Sequence, residues 1–501
     1  MSGTVPRRAV VVGAGVGGLA TAARLAAAGV SVTVLEQADT VGGKLGLREV
    51  DGFRFDTGPS LVTLPWTLAA TLEATGVDVE DVLELQRLDP IARYRFGDGT
   101  WLDADAEEAR FVRRLEEEVH PGAGVQWTAL MDRASAMWDA SADRVLQQPL
   151  DGVTDLLRLA ADPRDIATTA PHRSLRSLGR EHLSDPRLRQ LLDRYATYSG
   201  SDPRKAPAVL ATVAWAERRW GGWYVTGGLR RIGEVLADRV RACGGQIRTS
   251  TRVTEVRVAA GPSGDRVSGV SVEGGEVLDA DVVVLNADAG QVVQQLLPER
   301  LTSGLRRRLR VAPRARGGWV MLLGIAEDDA GQAHERLAHH TVLFAERYDE
   351  EFDALFGRQP RYPDRPTVYV AVADDPAVAP AGHRAVFVLV NAPRTDQVAG
   401  PPLGYGDAIL GLMARRGVDL RDRIVLREER TPADLQRDTL TPGGAIYGTS
   451  SNGPLAAFLR PPNNGPAEGL YLVGGSAHPG GGLPLVLMSA RIVADAVLHS
   501  A

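Results

Sequence analysis

The stretch of sequence that decides the fold lies near the start of the chain and reads Ala9-Val10-Val11-Val12-Gly13-Ala14-Gly15-Val16-Gly17-Gly18. Its β-branched run suits a strand that is buried on both faces. The segment from Leu19 to Ala28 is rich in Ala and Leu, which favours a helix, and Gly29 ends it. A second β-rich run then closes at Glu36. The stretch therefore predicts a strand, a helix and a parallel strand, the opening unit of an α/β fold.

The glycine spacing G-x-G-x-x-G, formed by Gly13, Gly15 and Gly18, indicates what this unit can bind. Gly13 allows the tight strand-to-helix turn, Gly15 lets a pyrophosphate approach the backbone, and Gly18 packs the helix close to the strand. The helix N-terminus offers free N–H groups and partial positive charge to the phosphates. Glu36 can accept hydrogen bonds from both ribose hydroxyls. We therefore predict a dinucleotide site, the alternative being an ordinary βαβ unit.

The residues after Glu36 help to choose between NAD and FAD. Gly42 and Gly43 allow a second close approach of the backbone to the cofactor, and Lys44 adds a cation behind them. An NAD domain has no obvious need of this pair, although a surface turn would also explain it. The pattern resembles the FAD-binding signature of the amine oxidase and phytoene desaturase superfamily, in which Arg usually stands in place of Lys44.

Length and composition exclude several classes of protein. A chain of 501 residues fits two or three domains. The formal net charge of −6 offers no global basic field for nucleic acid. Cys243 is the only cysteine, which excludes an intrachain disulfide and a cysteine-based metal cluster and fits a reducing cytoplasm. We expect no transmembrane helix, because no apolar run outside the opening stretch reaches eighteen residues without Gly or Pro.

A basic stretch in the first half of the chain suggests contact with a membrane. It interleaves Leu175, Leu178 and Leu183 with the cationic side chains of His172, Arg173, Arg176 and Arg180. Such an amphipathic basic face can rest on an anionic membrane surface. The alternative is a solvated face.

Aromatic residues cluster in the segment that follows. Tyr195 and Tyr198 precede Trp215 and Trp223, in a chain with only 5 % aromatic residues. This clustering predicts an apolar wall of a site for a large hydrophobic ligand. The alternative is the core of a domain interface.

The C-terminus carries a second glycine-rich pattern. A buried strand runs through Leu470 to Val473 into Gly474-Gly475-Ser476, and the loop His478-Pro479-Gly480-Gly481-Gly482-Leu483-Pro484 precedes a helix over 485–498. His478 is the one titratable side chain in this loop. It is an acid–base candidate or a packing residue. The other histidines, His334, His339 and His340, lack the spacing of a zinc site, so we expect surface histidines and no metal.

Other elements are predicted from local patterns. We expect a helix within 61–90, a hairpin over 91–102, helices over 104–118, 125–146 and 232–242, and strands over 282–285, 319–323, 367–372 and 385–390.

Three groups of residues resemble one family. They are the opening fingerprint with Asp56-Thr57-Gly58-Pro59, the segment Ile446-Tyr447-Gly448-Thr449-Ser450-Ser451-Asn452, and Gly474-Gly475-Ser476-Ala477-His478-Pro479-Gly480-Gly481-Gly482. All resemble the bacterial phytoene desaturase-type carotenoid oxidoreductases. The last two are more similar to the branch that acts on hydroxylated or already desaturated carotenoids, the 3,4-desaturases.

The resemblance implies an α/β fold with a Rossmann-like FAD-binding domain of the glutathione reductase and amine oxidase type, and a discontinuous, mixed α+β substrate domain. The FAD domain would comprise residues 1–90, 225–295 and 432–501, and the substrate domain 91–224 and 296–431. The cofactor positions carried over are Gly13, Gly15, Gly18, Glu36, Gly43, Lys44, Gly58, Pro59, Val253 through its backbone, Gly475, His478, Leu483 and Pro484.

The same resemblance implies an activity. An allylic C–H of an apolar polyene would give a hydride to flavin N5, a second proton would leave, and quinone or oxygen would reoxidise the flavin. The protein would supply orientation and a water-poor slot. It would act in the cytoplasm, in peripheral contact with the inner face of the cell membrane.

Two other functions remain open on the sequence. A flavin amine oxidase usually has an aromatic cage and a lysine near N5, and this chain has no lysine after Lys205. A non-catalytic protein that binds lipidic or prenylated partners shares the fold but loses the flavin, which the intact fingerprint with Glu36 argues against.

Overall fold

A computed structural model describes residues 8–150, 155, 162–261, 264–327 and 337–499. The strands within these ranges are β1 (Arg8–Val12), β2 (Ser31–Leu35), β3 (Leu47–Val50), β4 (Phe53–Asp56), β5 (Leu85–Arg87), β6 (Ala92–Arg95), β7 (Trp101–Ala104), β8 (Trp223–Val225), β9 (Gln246–Arg248), β10 (Val253–Gly261), β11 (Gly264–Val272), β12 (Val277–Asp279), β13 (Val282–Leu285), β14 (Gly317–Ala326), β15 (His340–Leu343), β16 (Val368–Val372), β17 (His383–Ala392), β18 (Ile424–Arg430) and β19 (Leu470–Leu472).

The α-helices within the same ranges are α1 (Val16–Ala27), α2 (Trp66–Glu73), α3 (Val79–Val82), α4 (Glu108–Glu118), α5 (Ala123–Ser141), α6 (Pro163–Thr169), α7 (Leu175–His182), α8 (Pro186–Thr197), α9 (Ala211–Trp220), α10 (Arg230–Ala242), α11 (Ala289–Gln291), α12 (Ser303–Val311), α13 (Tyr348–Phe356), α14 (Tyr405–Arg415), α15 (Pro432–Thr439), α16 (Ala456–Leu459) and α17 (Leu483–His499). Short π-helices occur at Ala142–Leu146 and Val292–Leu296, and 3₁₀ turns at Ala208–Leu210, Glu299–Leu301, Arg421–Arg423 and Pro442–Gly444.

A five-stranded parallel sheet of order β19-β13-β1-β2-β9 forms the first half of the fold. Side chains of β1 alternate between two cores. Val11 packs with α1, α10 and α17 on one face, and Val10 packs with β10 and β11 on the other. Because both faces are covered, the strand needs apolar residues at every position, as its β-branched sequence predicts. The predicted Rossmann-like unit is confirmed.

A seven-stranded sheet of order β18-β14-β17-β16-β15-β6-β7 forms the second half. Its pairs are antiparallel except β15 with β6. The helices α4, α5, α7, α8 and α9 contribute to a core with β6, β7 and β15 at one end of this sheet. The strands of the first sheet come from within 1–90, 225–295 and 432–501, and those of the second from within 91–224 and 296–431.

The largest difference from the predicted elements lies within residues 61–90. One helix was expected, whereas α2 and α3 are separate and β5 follows them. Gly76 adopts a left-handed conformation with φ of +83° just after α2 and so separates the two helices. The hairpin predicted over 91–102 is confirmed as β6 and β7.

In the described ranges, no helix has both the length and the apolar composition needed to cross a membrane.

Candidate functional site

A cavity of about 830 Å³ joins the two halves of the fold. Gly13, Glu36 and Gly475 line it from the loops of the parallel sheet, and Val320 and Leu389 line it from the second sheet. The loops at 13–18 and 475–484 therefore open onto one continuous space.

The glycine-rich turn has no room for side chains. Gly13 has φ of +98°, and a Cβ atom on it would lie 2.5 Å from the carbonyl oxygen of Asn286. A Cβ on Gly18 would lie 2.2 Å from the carbonyl oxygen of Gly13, so this glycine sets the close packing of α1 on β1. Gly15 is the N-cap of α1, and no side chain caps the helix or places an acid in its first turn. The N–H groups of that turn therefore suit a pyrophosphate.

Glu36 is fixed at the edge of this turn. Its Oε2 accepts a hydrogen bond from the backbone N–H of Ala14 at 2.7 Å, and its Oε1 accepts one from Ala38 at 2.9 Å. The side chain is 9 % exposed and lines the cavity, as does Val253 at the start of β10. Each carboxylate oxygen retains a lone pair for a ribose hydroxyl.

Lys44, predicted as a cation beside the cofactor, also joins two segments that are far apart in the sequence. Its Nζ donates to the carbonyl oxygens of Ala445 at 3.0 Å and Ile446 at 2.8 Å. These hydrogen bonds connect the Gly42-Gly43 segment to a loop that is distant in the sequence. Burial lowers the pKa of Lys44, with Asp288 opposing the shift. The side chain lines the cavity as a clamp between two segments of the fold.

Arg230 is the cation that the sequence reasoning missed. It lines the cavity, is 8 % exposed, and lies so close to Gly42 that a Cβ there would come within 2.5 Å of its Nη1. Asp56 positions the start of α10 by accepting hydrogen bonds from the N–H groups of Leu229 at 2.7 Å and Arg230 at 3.0 Å. A guanidinium between two glycine-rich loops suits a phosphate. Its only local signal is the Gly227-Gly228 turn before it.

Five further cofactor candidates also line the cavity. They are Gly58, Pro59, Gly475 and the Leu483-Pro484 pair at the start of α17. A Cβ on Gly58 would lie 2.1 Å from the carbonyl oxygen of Lys44. These residues leave backbone and a helix start facing the space, which fits the flat ring of a flavin. The donor set and the glycine cradle together fit FAD.

His478 lies outside the set of residues that line the cavity. It is 2 % exposed, and its Nε2 is 2.9 Å from the carbonyl oxygen of Gln148. Burial lowers its pKa to about 4, so the ring is neutral at neutral pH. This geometry corresponds to a packing residue.

The four predicted aromatic residues are not brought together at the cavity. Tyr198 lines it. Tyr195 instead donates its hydroxyl to Glu217 at 2.7 Å, Trp215 packs on Trp138 with ring centroids 5.5 Å apart, and Trp223 lies in β8. Apart from Tyr198, the aromatic residues that line the cavity come from the second half of the chain: Phe344, Tyr348, Phe352, Tyr369, Phe387 and Tyr447.

The prediction of surface histidines is wrong for His340. It is 1 % exposed, and its ring nitrogens lie 3.3 Å from the carbonyl oxygen of Ile91 and 3.2 Å from that of Ser60. His339 is half-buried against it, and His334 lies outside the described residues. Within the described ranges, no group of three metal-ligating side chains forms a metal site.

Two arginines of the basic stretch, Arg173 and Arg176, form ion pairs with carboxylates. Arg176 pairs with Asp193 at 2.8 Å and with Asp349, and Arg173 pairs with Glu181. The interleaved Leu175, Leu178 and Leu183 are buried in the helical core. The leucines of this stretch therefore belong to the interior, whereas His172 and Arg180 are exposed.

Known proteins are similar to this chain in sequence and in fold. The model of the flavin containing amine oxidoreductase family matches residues 16–314. A 4,4'-diapolycopene oxygenase from a Methylomonas species is 33 % identical over 98 % of this chain and 98 % of its own length. A hydroxyneurosporene desaturase from Rubrivivax gelatinosus is 34 % identical over 98 % of this chain and 93 % of its own length. The solved cyclohexylamine oxidase of Brevibacterium oxydans superposes with a TM-score of 0.64, at 16 % identity and covering 99 % of both chains.

The fold and the cavity define an FAD-dependent oxidoreductase. The chain belongs to the flavin-containing amine oxidoreductase family and, within it, to the carotenoid desaturases and oxygenases. The predicted family and the predicted cofactor, FAD, are confirmed.

Proposed function

We propose that the protein desaturates a carotenoid or a similar long, apolar polyene, taking a hydride from an allylic C–H to N5 of FAD while the neighbouring carbon loses a proton. The polyene is oxidised by two electrons, which a quinone or oxygen finally receives. The desaturases and oxygenases among the relatives support this class of substrate.

One observation carries the proposal: a single cavity extends from the glycine turn to apolar side chains. Besides Gly58 and Pro59, its wall includes Val342, Phe344, Phe352, Phe387 and Leu389. A polyene has no charge to anchor, so binding depends on apolar surface removed from water.

The residues of the chain act mainly by positioning. Strands β14 and β17 present Val320 and Leu389 to the cavity from one rigid sheet, which limits how a bound chain can tilt. Holding the reacting C–H near its acceptor and excluding water account for rate without a dedicated acid–base pair.

The test uses purified, FAD-loaded protein with acyclic carotenes in liposomes and a quinone, under nitrogen. We expect products with red-shifted absorption that have lost pairs of hydrogens. No product from any acyclic carotene, together with peroxide release from amines in air, would identify an amine oxidase instead. A colourless protein that cannot be reconstituted with FAD would identify a binding protein.

A second candidate is oxygenation at the end of a polyene, favoured by the full-length similarity to the diapolycopene oxygenase. Mass spectrometry of the products of a parallel reaction under ¹⁸O₂ separates the two activities. A desaturated product has lost hydrogen and gained no oxygen, whereas an oxygenated product carries label from ¹⁸O₂.

We also propose that the protein contacts the anionic inner face of the cell membrane from the cytoplasm through helix α12. Arg307 and Arg310 are exposed on this helix, and Val311 at its end is 56 % exposed. Leu455, 58 % exposed, directly precedes α16, which α12 contacts through Arg308 Nη1 and the carbonyl oxygen of Phe458 at 3.0 Å. Exposed cations beside exposed apolar side chains favour an anionic lipid surface.

A further inference from the structure

Two cavity residues at the end of helix α8, Arg194 and Tyr198, have a chemistry that a hydrocarbon does not need. They stand one helical turn apart, and both line the cavity. Arg194 is only 5 % exposed. Burying a guanidinium costs free energy unless hydrogen bonds and nearby charge replace its hydration. A cation therefore stands in the wall of a space that otherwise suits an apolar ligand.

Tyrosines hold this guanidinium. Its Nη1 donates to the hydroxyl of Tyr94 at 2.7 Å, and its Nη2 donates to the hydroxyl of Tyr198. The rings of Tyr94 and Tyr198 also face it, with centroids 5.2 Å and 4.8 Å from Cζ. Among the described residues, no carboxylate forms an ion pair with Arg194. A guanidinium has five N–H groups, so these two hydrogen bonds leave donors for a ligand.

A carboxylate lies behind the tyrosines and orients them. Glu217 accepts hydrogen bonds from Tyr195 at 2.7 Å and from Tyr198 at 3.3 Å. The Tyr198 hydroxyl therefore donates to Glu217 while it accepts from Arg194. With its proton committed to Glu217, Tyr198 offers the cavity a lone pair, and Arg194 offers it N–H groups. Arg194 and Tyr198 can therefore form hydrogen bonds with either an acceptor oxygen or a hydroxyl group of a ligand.

This polar pair shares its cavity with the segment proposed to face the cofactor. Arg194 and Tyr369 both line that cavity, as do Gly58 and Pro59. The Tyr369 hydroxyl is hydrogen-bonded to Ser60, which directly follows Gly58 and Pro59. An oxygen atom held by Arg194 would thus lie in the same cavity that the Gly58-Pro59 segment lines.

We propose that Arg194 and Tyr198 bind an oxygen atom at the end of the polyene, in a hydroxyl or carbonyl group, and so select substrates that already carry one. This specificity site rests on the proposed function and deepens it. A carotene without such an oxygen leaves the pair unsatisfied on binding, which lowers its affinity.

The experiment compares three polyenes of equal length in neutral liposomes: one with hydrocarbon ends, one with a terminal hydroxyl and one with a terminal aldehyde. Affinities of fully conjugated forms, which bind without reacting, are measured from shifts of the polyene absorption bands on the FAD-loaded protein. The kcat and KM values of reactive forms are measured in parallel.

We expect the wild type to bind at least one oxygenated form roughly tenfold more tightly than the hydrocarbon, the value of one good hydrogen bond. Tyr198→Phe and Arg194→Gln are expected to remove this preference mainly through KM. Tyr405→Phe is the matched control, because that buried hydroxyl donates to the carbonyl oxygen of Pro363 outside the cavity. Tyr198→Phe serves on its own if Arg194→Gln does not fold.

Equal affinity of the wild type for all three polyenes would overturn the specificity site and leave desaturation intact. Equal losses for all three in Tyr198→Phe would overturn it as well. Conversion of none of the polyenes would contradict the proposed function, whereas the binding preference would still decide the role of Arg194 and Tyr198.

Discussion

The side-chain amide of Asn286 lies against Gly15, and a Cβ atom on Gly15 would come within 2.7 Å of its Oδ1. The same residue donates from its backbone N–H to Val12 at 2.8 Å and from Nδ2 to the carbonyl oxygen of Val473 at 3.1 Å. Asn286 therefore joins the ends of β1, β13 and β19 directly beneath the cofactor cradle.

Substitution of Gly15 by Ala is expected to abolish FAD binding, because the added methyl group must displace either Asn286 or the cofactor. The measurement is the ratio of flavin to protein absorbance in the purified variant. Gly400→Ala is the control, since a Cβ there meets nothing within 4 Å. A yellow Gly15→Ala protein with full flavin content would show that the turn is looser than the structure indicates.

Asp56→Asn is expected to change how stability depends on pH. Burial raises the pKa of Asp56 from 3.8 to about 6, opposed by hydrogen bonds from Leu229 and Arg230. A raised carboxyl pKa gives stability that is complete below pH 3.8 and is lost as the pH rises through about 6. The advantage of the wild type over the variant should therefore shrink by about 3 kcal/mol across this window, at about 1.4 kcal/mol per unit.

Thermal unfolding of both proteins between these pH values measures the Asp56 effect. Asp238→Asn, in which an exposed carboxylate is lost, should keep the wild-type pH dependence. A constant gap between wild type and Asp56→Asn would mean that folding leaves the pKa of Asp56 unshifted.

His478→Gln is expected to leave the pH profile of kcat unchanged between about pH 6 and about pH 8, because the ring is already neutral there and lies off the cavity. The cost should appear as a lower Tm, since a buried residue that contacts Gln148 is lost. Disappearance of one limb of the profile would restore His478 as an acid–base catalyst.

The double variant Arg307→Gln/Arg310→Gln tests the membrane surface. Removing two cations should weaken binding to anionic vesicles by about 2 kcal/mol, roughly thirtyfold, and leave binding to neutral vesicles unaffected. Vesicle sedimentation measures this. The control Arg347→Gln/Arg421→Gln removes equal charge from other exposed positions, and an equal loss there would point to net charge rather than to α12.

Sequence reasoning reached the parallel sheet because its signals are local. The run Val282–Leu285 is apolar at each position and is buried at each position in β13. By contrast, β18 lies at the edge of its sheet and alternates between half-buried and exposed residues. Because it contains Arg427, Glu428 and Glu429, its sequence resembles a polar connection and did not predict a strand.

The sequence predicted residues that line the cavity mainly where the spacing of glycines indicated them. His340 was expected at the surface, and its burial depends on stacking against Tyr369 with ring centroids 5.7 Å apart, a contact that no local pattern encodes. Trp215 likewise packs on Trp138, far away along the chain. Arg230 enters the cavity because Asp56, from a different segment, fixes the start of its helix.

The parallel sheet takes β1 from Arg8–Val12 and β19 from Leu470–Leu472. On the ribosome, the nucleotide-binding half is consequently incomplete until β19 has emerged, so flavin capture follows the synthesis of that strand. A chain that terminated before β19 would therefore lack the edge of the sheet and would be an apoprotein.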